Sequence, residues 1–354
     1  MTLRYLSATN GFVPQATGQV ISFIRDPKSF PLNKYVQYIQ SPATVGLYAK
    51  IDRDQPARNV SDADYVWADG GDMPQGHANQ LRFEWVEFAC KRRAYSFTIG
   101  NIALEQAKGT WKPLEQHSGM TAQQAMTNRV NRVITLGETA SNWNGNTDTA
   151  TSLNGGAGRW DTASDDPSSG AYNAIKKSLM KAAEKVNLAT NALVQPKDLV
   201  LVISPGLAQA IGNSGEIHNY LKYGPFSKAE LEGPNNSNQN WGLPPSLYGF
   251  ELIVDDTVRV STRPGATETS SAQTGTRAYA KGDTSAILCS RKGGINGLYG
   301  APNFSTFQLY FHKYELAVYT FDDPQNMRTK GAVVEMFAEV LAAPETGFYI
   351  TGVL

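Results

Sequence analysis

The sequence predicts an α+β fold on three observations. Between Gly158 and Val260 a helix, a buried strand, a second helix and another strand follow one another, with turn residues between them. On either side of that stretch the apolar residues fall into strand patterns, over 45–51 and 81–99 before it and over 307–321 and 331–340 after it. One amphipathic helix, ending near Gly137, lies between the first strands and the central stretch. Helices and strands therefore alternate in the middle of the chain and are segregated at its ends, as mixed layers require.

In the central stretch, Asp166-Pro167 reads as an N-cap followed by proline at the first helical position, where a missing N–H costs nothing. The helix expected behind it carries Tyr172, Ile175, Leu179, Ala182 and Val186 on one stripe and Lys176, Lys177, Lys181, Glu184 and Lys185 largely on the rest. Pro196 ends that segment. Leu199-Val200-Leu201-Val202-Ile203 is too short for a helix and rich in β-branched residues, so it reads as a central strand. Ser204-Pro205 is again a cap with proline behind it, opening a short helix through Leu207, Ala208 and Ile211 that stops at Gly212 and Gly215. Tyr248-Gly249 turns the chain into a second strand, Phe250 to Val254. On local pattern alone this is an ordinary α/β layer.

The order of landmarks adds to that reading. Trp160 with a polar Asp-Pro segment, an amphipathic helix, a strand ending at Ser204-Pro205, the tract Tyr220-Leu221-Lys222-Tyr223, and Trp241-Gly242-Leu243-Pro244 before the strand at Phe250 follow in sequence. Together they resemble the A-domain of the major capsid proteins of tailed bacteriophages (Caudoviricetes), the Hong Kong 97-like capsid fold. The resemblance implies an N-terminal arm at 1–44, an extended β-hairpin loop with its flanking strands at 45–100, and a P-domain with a long spine helix at 101–157. It implies an α/β A-domain at 158–300 and closing strands of the P-domain at 301–354. By the same resemblance the chain is a structural protein that self-assembles, as hexamers and pentamers, into the icosahedral head shell around double-stranded DNA. That shell belongs to a virion assembled in the host cytoplasm. The partners implied are other copies of the chain, a portal, separate scaffolding or decoration proteins, and packaged DNA contacted non-specifically. Maturation, in which a rounder precursor expands, is a further implication.

Composition sets bounds on this. A chain of 354 residues can bury a sizeable core and form two or more domains. Charged residues make up 18% and Lys+Arg equals Asp+Glu at 32 each, so no global field points to nucleic acid or membrane. Cys90 and Cys289 lie far apart, neither with a second cysteine at metal-ligand or redox spacing, and both are expected to be reduced. Met1 to Phe12 lacks a basic start with an apolar core behind it, and nowhere do eighteen apolar residues run together. No membrane contact is expected.

Taken in order, the first forty-odd residues read as extended. Gly11, Pro14, Gly18, Pro27 and Pro31 punctuate short apolar pieces such as Val20-Ile21-Ser22-Phe23-Ile24. Such a segment either drapes over its own domain or reaches a neighbouring chain, as the family's arm does. No long charged helical segment precedes it, so any scaffolding is expected from a separate protein or from none. Val45 to Ile51 and Leu81 to Ile99 read as strands enclosing a polar excursion, a long two-stranded projection with Phe83, Trp85, Phe88, Tyr95 and Phe97 among its aromatics.

A loop as long as Arg53 to Gln80 is uncommon inside a compact domain. It matches in place and kind the family's extended loop, which lies across a neighbouring subunit; the alternative is a mobile surface loop. From Asp52 to Gln80 the six acids Asp52, Asp54, Asp62, Asp64, Asp69 and Asp72 stand against Arg53 and Arg58, a net of minus four, with Trp67 among the few large apolar residues. A basic surface should receive it. Lys91, Arg92 and Arg93, or Arg129 and Arg132, are the candidates, since complementary charge fixes register and partner choice. The contrary reading is that the acids only keep the loop soluble. One branch of the fold cross-links covalently through a lysine near the loop tip. Arg53 to Gln80 contains no lysine, so a shell held by non-covalent contacts is expected.

After the loop, Thr121-Ala122-Gln123-Gln124 reads as a capping box. Ala122, Met126, Val130 and Val133 make the apolar stripe of the helix behind it, with Asn128, Arg129 and Arg132 pointing elsewhere. In place it matches the spine helix. Ser141 to Gly158, Gly233 to Asn240 and Pro264 to Thr276 read as loops. Ala286-Ile287-Leu288 reads as a short strand, then Phe307 to Phe321 and Gly331 to Val340 as longer ones, with Pro324 and Lys330-Gly331 at the turn between them.

Chemistry is hard to find. His77, His117, His218 and His312 are scattered without metal-ligand spacing. There is no phosphate loop, and Gly294, Gly297 and Gly300 do not make a dinucleotide fingerprint. Ser214, in Asn-Ser-Gly, lacks the glycine two residues earlier that a nucleophile elbow needs. The expectation is no catalytic residue, no cofactor and no metal. Two alternatives stay open, an encapsulin-like compartment of the same fold and a soluble α/β enzyme.

Overall fold

A computed structural model of the chain describes residues 24–51, 53–54, 69, 71, 83–107, 112–218, 241–260, 277–291 and 305–354. Through its first third the described chain forms α1 (Leu32–Tyr35), β1 (Gln37–Gln40), β2 (Val45–Ile51), β3 (Phe83–Ala89), β4 (Lys91–Gly100), α2 (Asn101–Gln106) and α3 (Pro113–Gly137). The middle gives β5 (Thr147–Thr149), α4 (Ala150–Leu153), α5 (Ala174–Ala189), β6 (Leu199–Ile203), α6 (Pro205–Asn213), β7 (Ser246–Leu247), β8 (Phe250–Val254), β9 (Val258–Val260) and β10 (Arg277–Tyr279). The end adds β11 (Ser285–Ser290), β12 (Phe307–Phe311), β13 (Ala317–Asp323), β14 (Arg328–Leu341) and β15 (Phe348–Thr351).

Two sheets organise these elements. A six-stranded sheet runs in the order β5-β15-β11-β6-β8-β7, with β6 and β8 parallel and α6 in the crossover between them. A five-stranded sheet runs β1-β12-β14-β13, with β4 paired along β14 from Gly100↔Arg328 to Lys91↔Phe337. Strand β6 explains why its sequence is apolar without alternation. Leu199, Leu201 and Ile203 face one core together with Ile175 and Leu179 of α5 and Leu207 and Ile211 of α6. Val200 and Val202 face a second core that holds Met126, Val130 and Val133 of α3 and Leu309 and Phe337 of the other sheet. With all five residues buried, the strand needs apolar side chains on both faces. This second core, with the buried Trp143 in it, is where the two sheets meet.

Ser204 caps α6 as expected, its hydroxyl accepting from the Leu207 N–H at 3.2 Å with Pro205 at the first position. Tyr248 and Gly249, both at positive φ, make the two-residue turn that pairs Leu247 with Phe250. The other helix starts lie elsewhere than the sequence predicts. Asp166 does not open α5; its carboxylate closes a local turn onto Ser168. The helix begins at Ala174, and a carboxylate from far along the chain caps it, Glu216 accepting from the N–H groups of Ile175 and Lys176 at 3.0 Å each. Thr121 likewise is no N-cap. It lies inside α3, its hydroxyl donating back to the His117 carbonyl at 2.7 Å, and the helix starts eight residues earlier behind Lys112-Pro113. The extra turns are held from outside the helix, where His117 stacks on Phe97 and Ile24 lies against Gly119.

Other expectations are corrected by pairing. Ser141 to Gly158 is not all loop, since it contains β5 and α4 and buries Trp143, Ala150 and Leu153. Of residues 81–99, the described ones from Phe83 on form two strands parted at Cys90, and 307–321 are two strands parted at 312–316. Lys330 and Gly331 lie within β14, the turn being at Pro324–Asn326. Gly331 is needed there because it sits under the Phe97 ring, where a Cβ would come within 2.1 Å of Cζ. The arm is not extended throughout: Phe30, Leu32, Tyr35 and Val36 are buried in the second core, and β1 joins the five-stranded sheet parallel to β12. The last strand, β15, enters the six-stranded sheet between β5 and β11, so residues 305–354 serve both sheets. The tract 220–223, the segments 233–240 and 264–276, and Gly294, Gly297 and Gly300 lie outside the described residues.

Candidate inter-subunit surface

The antiparallel pair β2–β3 is a separate two-stranded ribbon, shorter than the projection the sequence predicts because Tyr95 and Phe97 lie on β4 in the five-stranded sheet, and among the described residues it lies against the body by one face. On the inner face the Phe88 ring stacks on Tyr310 at 4.0 Å between centroids, and Tyr48 stacks on the same ring at 6.1 Å. Gly46 is opposite Phe88 in register, and a Cβ there would come within 2.5 Å of the ring. Farther along, the Lys50 Nζ reaches the Glu345 Oε1 at 2.7 Å. The outer face is largely apolar, with Glu87 opposite Leu47 as its one carboxylate among the described residues, and nothing among the described residues covers it. Val45, Leu47, Phe83 and Trp85 are 51, 59, 52 and 59% exposed, and Phe83 and Trp85 meet edge to face. A strand pair exposed to water on one side normally alternates apolar with polar residues. This ribbon does not, and contiguous exposed apolar surface marks an interaction site.

A second apolar area lies on the five-stranded sheet at its β13 edge, where Val318, Tyr319 and Phe321 are exposed with Met327 in the adjoining turn. Cations and phenols flank it. The Arg92 guanidinium lies over the Tyr314 ring at 5.9 Å, the Lys313 ammonium over the same ring at 5.4 Å, and Tyr319 meets that ring edge-on. Tyr314 is held below its usual pKa by its hydrogen bond to Tyr319 and by Lys313.

The candidate residues distribute unevenly. Asp54 and Asp69 are exposed, Asp54 beside Arg53; Asp62, Asp64, Trp67 and Asp72 lie outside the described residues. Lys91 and Arg92 are exposed at the start of β4. Arg93 is half-buried, forking onto Glu339 at 3.1 and 3.3 Å. Arg129 does not point outward as the helix pattern suggests. Its side chain is 2% exposed, pairs with the fully buried Glu335 at 2.8 Å, donates to the Glu315 carbonyl and lies 3.9 Å over the Phe337 ring. Arg132 bridges Glu335 and Glu339 at 2.6 and 2.7 Å. Burial alone would lower its pKa, but Glu339 and Glu335 raise it overall. Arg129 and Arg132 therefore fasten α3 to β14, and burial takes Arg129 off any surface that could receive a loop. Sequence reasoning missed this because Glu335 is far along the chain, in a strand that reads as apolar.

One constellation resembles chemistry. Lys281 is fully buried, and its Nζ lies 2.6 Å from Ser285 Oγ and 2.8 Å from Glu138 Oε1. A serine against a buried lysine could serve as a nucleophile and its base. Here the ammonium is held by Glu138 and by the carbonyls of Gly282 and Ser285, and Ser285 is itself buried and donates to Glu138. The group reads as a clamp between the C-terminal end of α3 and the β10–β11 connection. Ser214 is similarly closed, its hydroxyl donating to the Ile211 carbonyl. Cys90 and Cys289 are free thiols in the interior, and burial pushes the Cys289 thiol up to about 12. Among the described residues no group of three His, Cys, Asp or Glu could hold a metal, and no helix is long and apolar enough to cross a membrane.

No protein-family model and no curated protein sequence matches the chain. Solved structures do match, along nearly its whole length. A phage-related protein from Bordetella bronchiseptica RB50 aligns with TM-score 0.54 at 12% identity, covering 93% of this chain and 93% of that one. The capsid of the cyanophage P-SCSP1u aligns with TM-score 0.52 at 10% identity, covering 96% and 92%. A chain of Microbacterium phage Oxtober96 aligns with TM-score 0.52 at 10% identity, covering 94% of each. At these identities the likeness is one of fold: the chain has the Hong Kong 97-like coat fold.

Proposed function

We propose that the chain is the major capsid protein of a tailed phage or prophage, assembling in many copies into the icosahedral shell that encloses double-stranded DNA. The observation that carries this is the β2–β3 ribbon, set on a coat fold with one face seated on its own subunit and the other apolar and, among the described residues, uncovered. At about 25 cal/mol per Å² of apolar surface, several such modest contacts per subunit sum to a stable shell while each stays weak enough to correct errors. The loop between β2 and β3, with its net charge of minus four, would seat on another copy at the Lys91, Arg92 and Lys313 surface, beside the apolar β13 edge.

In this reading the chain acts by interfaces and not by catalysis. Its partners are itself in hexamers and pentamers, a portal, scaffolding or decoration proteins from other genes, and DNA held non-specifically inside a virion that is assembled in the host cytoplasm. With no lysine in residues 53–80, the shell is held by non-covalent contacts. A ladder of cross-linked species on a denaturing gel would overturn that last point alone.

The deciding experiment is negative-stain electron microscopy of the chain expressed alone, after size-exclusion chromatography. Closed shells, tubes or capsomer rings are expected. A monomer or dimer that persists at high concentration, and with a candidate scaffold co-expressed, would overturn the coat reading.

A further inference from the structure

A two-stranded ribbon is marginal by itself and swings unless it is tied down. Here it is tied at its far end. The Lys50 Nζ meets the Glu345 Oε1 at 2.7 Å, and the same oxygen accepts from the Asn144 side chain at 3.2 Å. Just beyond, the Arg53 guanidinium donates to the Ala189 carbonyl at the end of α5, and the Asn191 amide donates back to the Arg53 carbonyl.

The platform under Lys50 is rigid. Glu345 is 7% exposed and sits in the short turn Pro344–Thr346, through which the chain leaves β14 in one sheet for β15 in the other. The Asn146 side chain donates to the carbonyls of Pro344, Glu345 and Gly347, and the Thr346 hydroxyl is bonded to that of Thr306. A pair anchored there fixes the ribbon relative to both sheets at once.

We infer that Lys50 and Glu345 are positioning residues for assembly, holding the ribbon at one angle across the junction of the two sheets so that its apolar face is set before a second copy arrives. This rests on the coat reading. The physical gain is preorganisation: a ribbon already held in its bound direction loses less freedom on docking. Neither residue needs to touch the second copy for its loss to matter.

The test uses the full chain under conditions in which the wild type forms shells. Lys50→Glu places like charges together and should abolish closed shells, leaving dispersed subunits or irregular sheets that still unfold in one cooperative transition. In dispersed subunits, amide exchange over 45–51 and 83–89 should speed up while the two cores stay protected, which a general loss of stability would not produce. A double variant, Lys50→Cys with Glu345→Cys, should fail to assemble until a short bis-maleimide joins the two thiols, and should then recover. The native Cys90 and Cys289 are buried and leave the reagent to the new pair.

Lys50→Glu shells of wild-type yield and diameter, unchanged exchange in the ribbon, or a tethered variant that stays dispersed would each overturn the positioning role. Failure of the wild type to assemble at high concentration and with a candidate scaffold co-expressed would instead overturn the coat reading, with the exchange measurement still deciding whether Lys50 holds the ribbon.

Discussion

Strand β6 and the β2–β3 ribbon are both apolar on two faces, and the fold treats them oppositely. Every residue of β6 is within 2% of full burial, because helices α5 and α6 cover one face and the α3 core covers the other. Among the described residues the ribbon has its inner face covered, by Tyr310 and its neighbours, and leaves Leu47 and Trp85 each 59% exposed. The difference separates two uses of the same side chains. Apolar surface covered within the chain stabilises the subunit, whereas apolar surface left open marks a place for a partner.

The contrast can be broken from either side. The largest loss of subunit stability is expected from Glu335→Ala, which strands the buried Arg129 without its partner and should cost about 3–5 kcal/mol in urea unfolding. Leu201→Ala, a cavity in the doubly covered strand, should cost about 2–5 kcal/mol by the same measurement.

Acid should act next, through Glu138. Burial alone would raise this carboxyl, but the Lys281 charge and the hydrogen bonds from Lys281, Gly282 and Ser285 more than reverse that, so its folded pKa lies below the ordinary carboxylate value. A depressed carboxylate contributes stability above its unfolded pKa and loses it as pH falls through the folded one. The urea midpoint should therefore drop as pH is lowered through and below the ordinary glutamate range, and less steeply in Glu138→Gln.

Leu47→Ser with Trp85→Ser should do least to the subunit, changing its unfolding free energy by no more than about 0.5 kcal/mol, yet closed shells should disappear from micrographs. A large fall in subunit stability in that variant would place the ribbon's outer face in the subunit's own core and erase the comparison.

Periodicity was legible wherever one element met one layer. The stripe Ile175, Leu179, Ala182 and Val186, the stripe Ala122, Met126, Val130 and Val133, and the Ser204-Pro205 cap stand as the sequence has them, whereas Tyr172, read as the first residue of that first stripe, lies ahead of the helix in a bridge to Ser164. The true starts of α5 and α3 were not legible, because the groups that hold them, Glu216 and Phe97, lie far away in sequence. Nor was the fate of Arg129. On a helical wheel it is a polar residue between apolar ones, and only β14 brings Glu335 beneath it.

By itself the sequence determined the helix-strand-helix-strand order of the central stretch, the doubly apolar β6 and the net acidity of the stretch between β2 and β3. These follow from short-range rules, side-chain periodicity and turn chemistry, that act within a few residues. Only the tertiary structure decided which apolar faces meet. It sent β15 back into the six-stranded sheet, drew Arg129 inward and tied Lys50 to Glu345, 295 residues along the chain. Among the described residues it also left the ribbon's outer face uncovered. Burial and charge pairing depend on distance in space, and that distance is fixed only when both sheets have closed on one core.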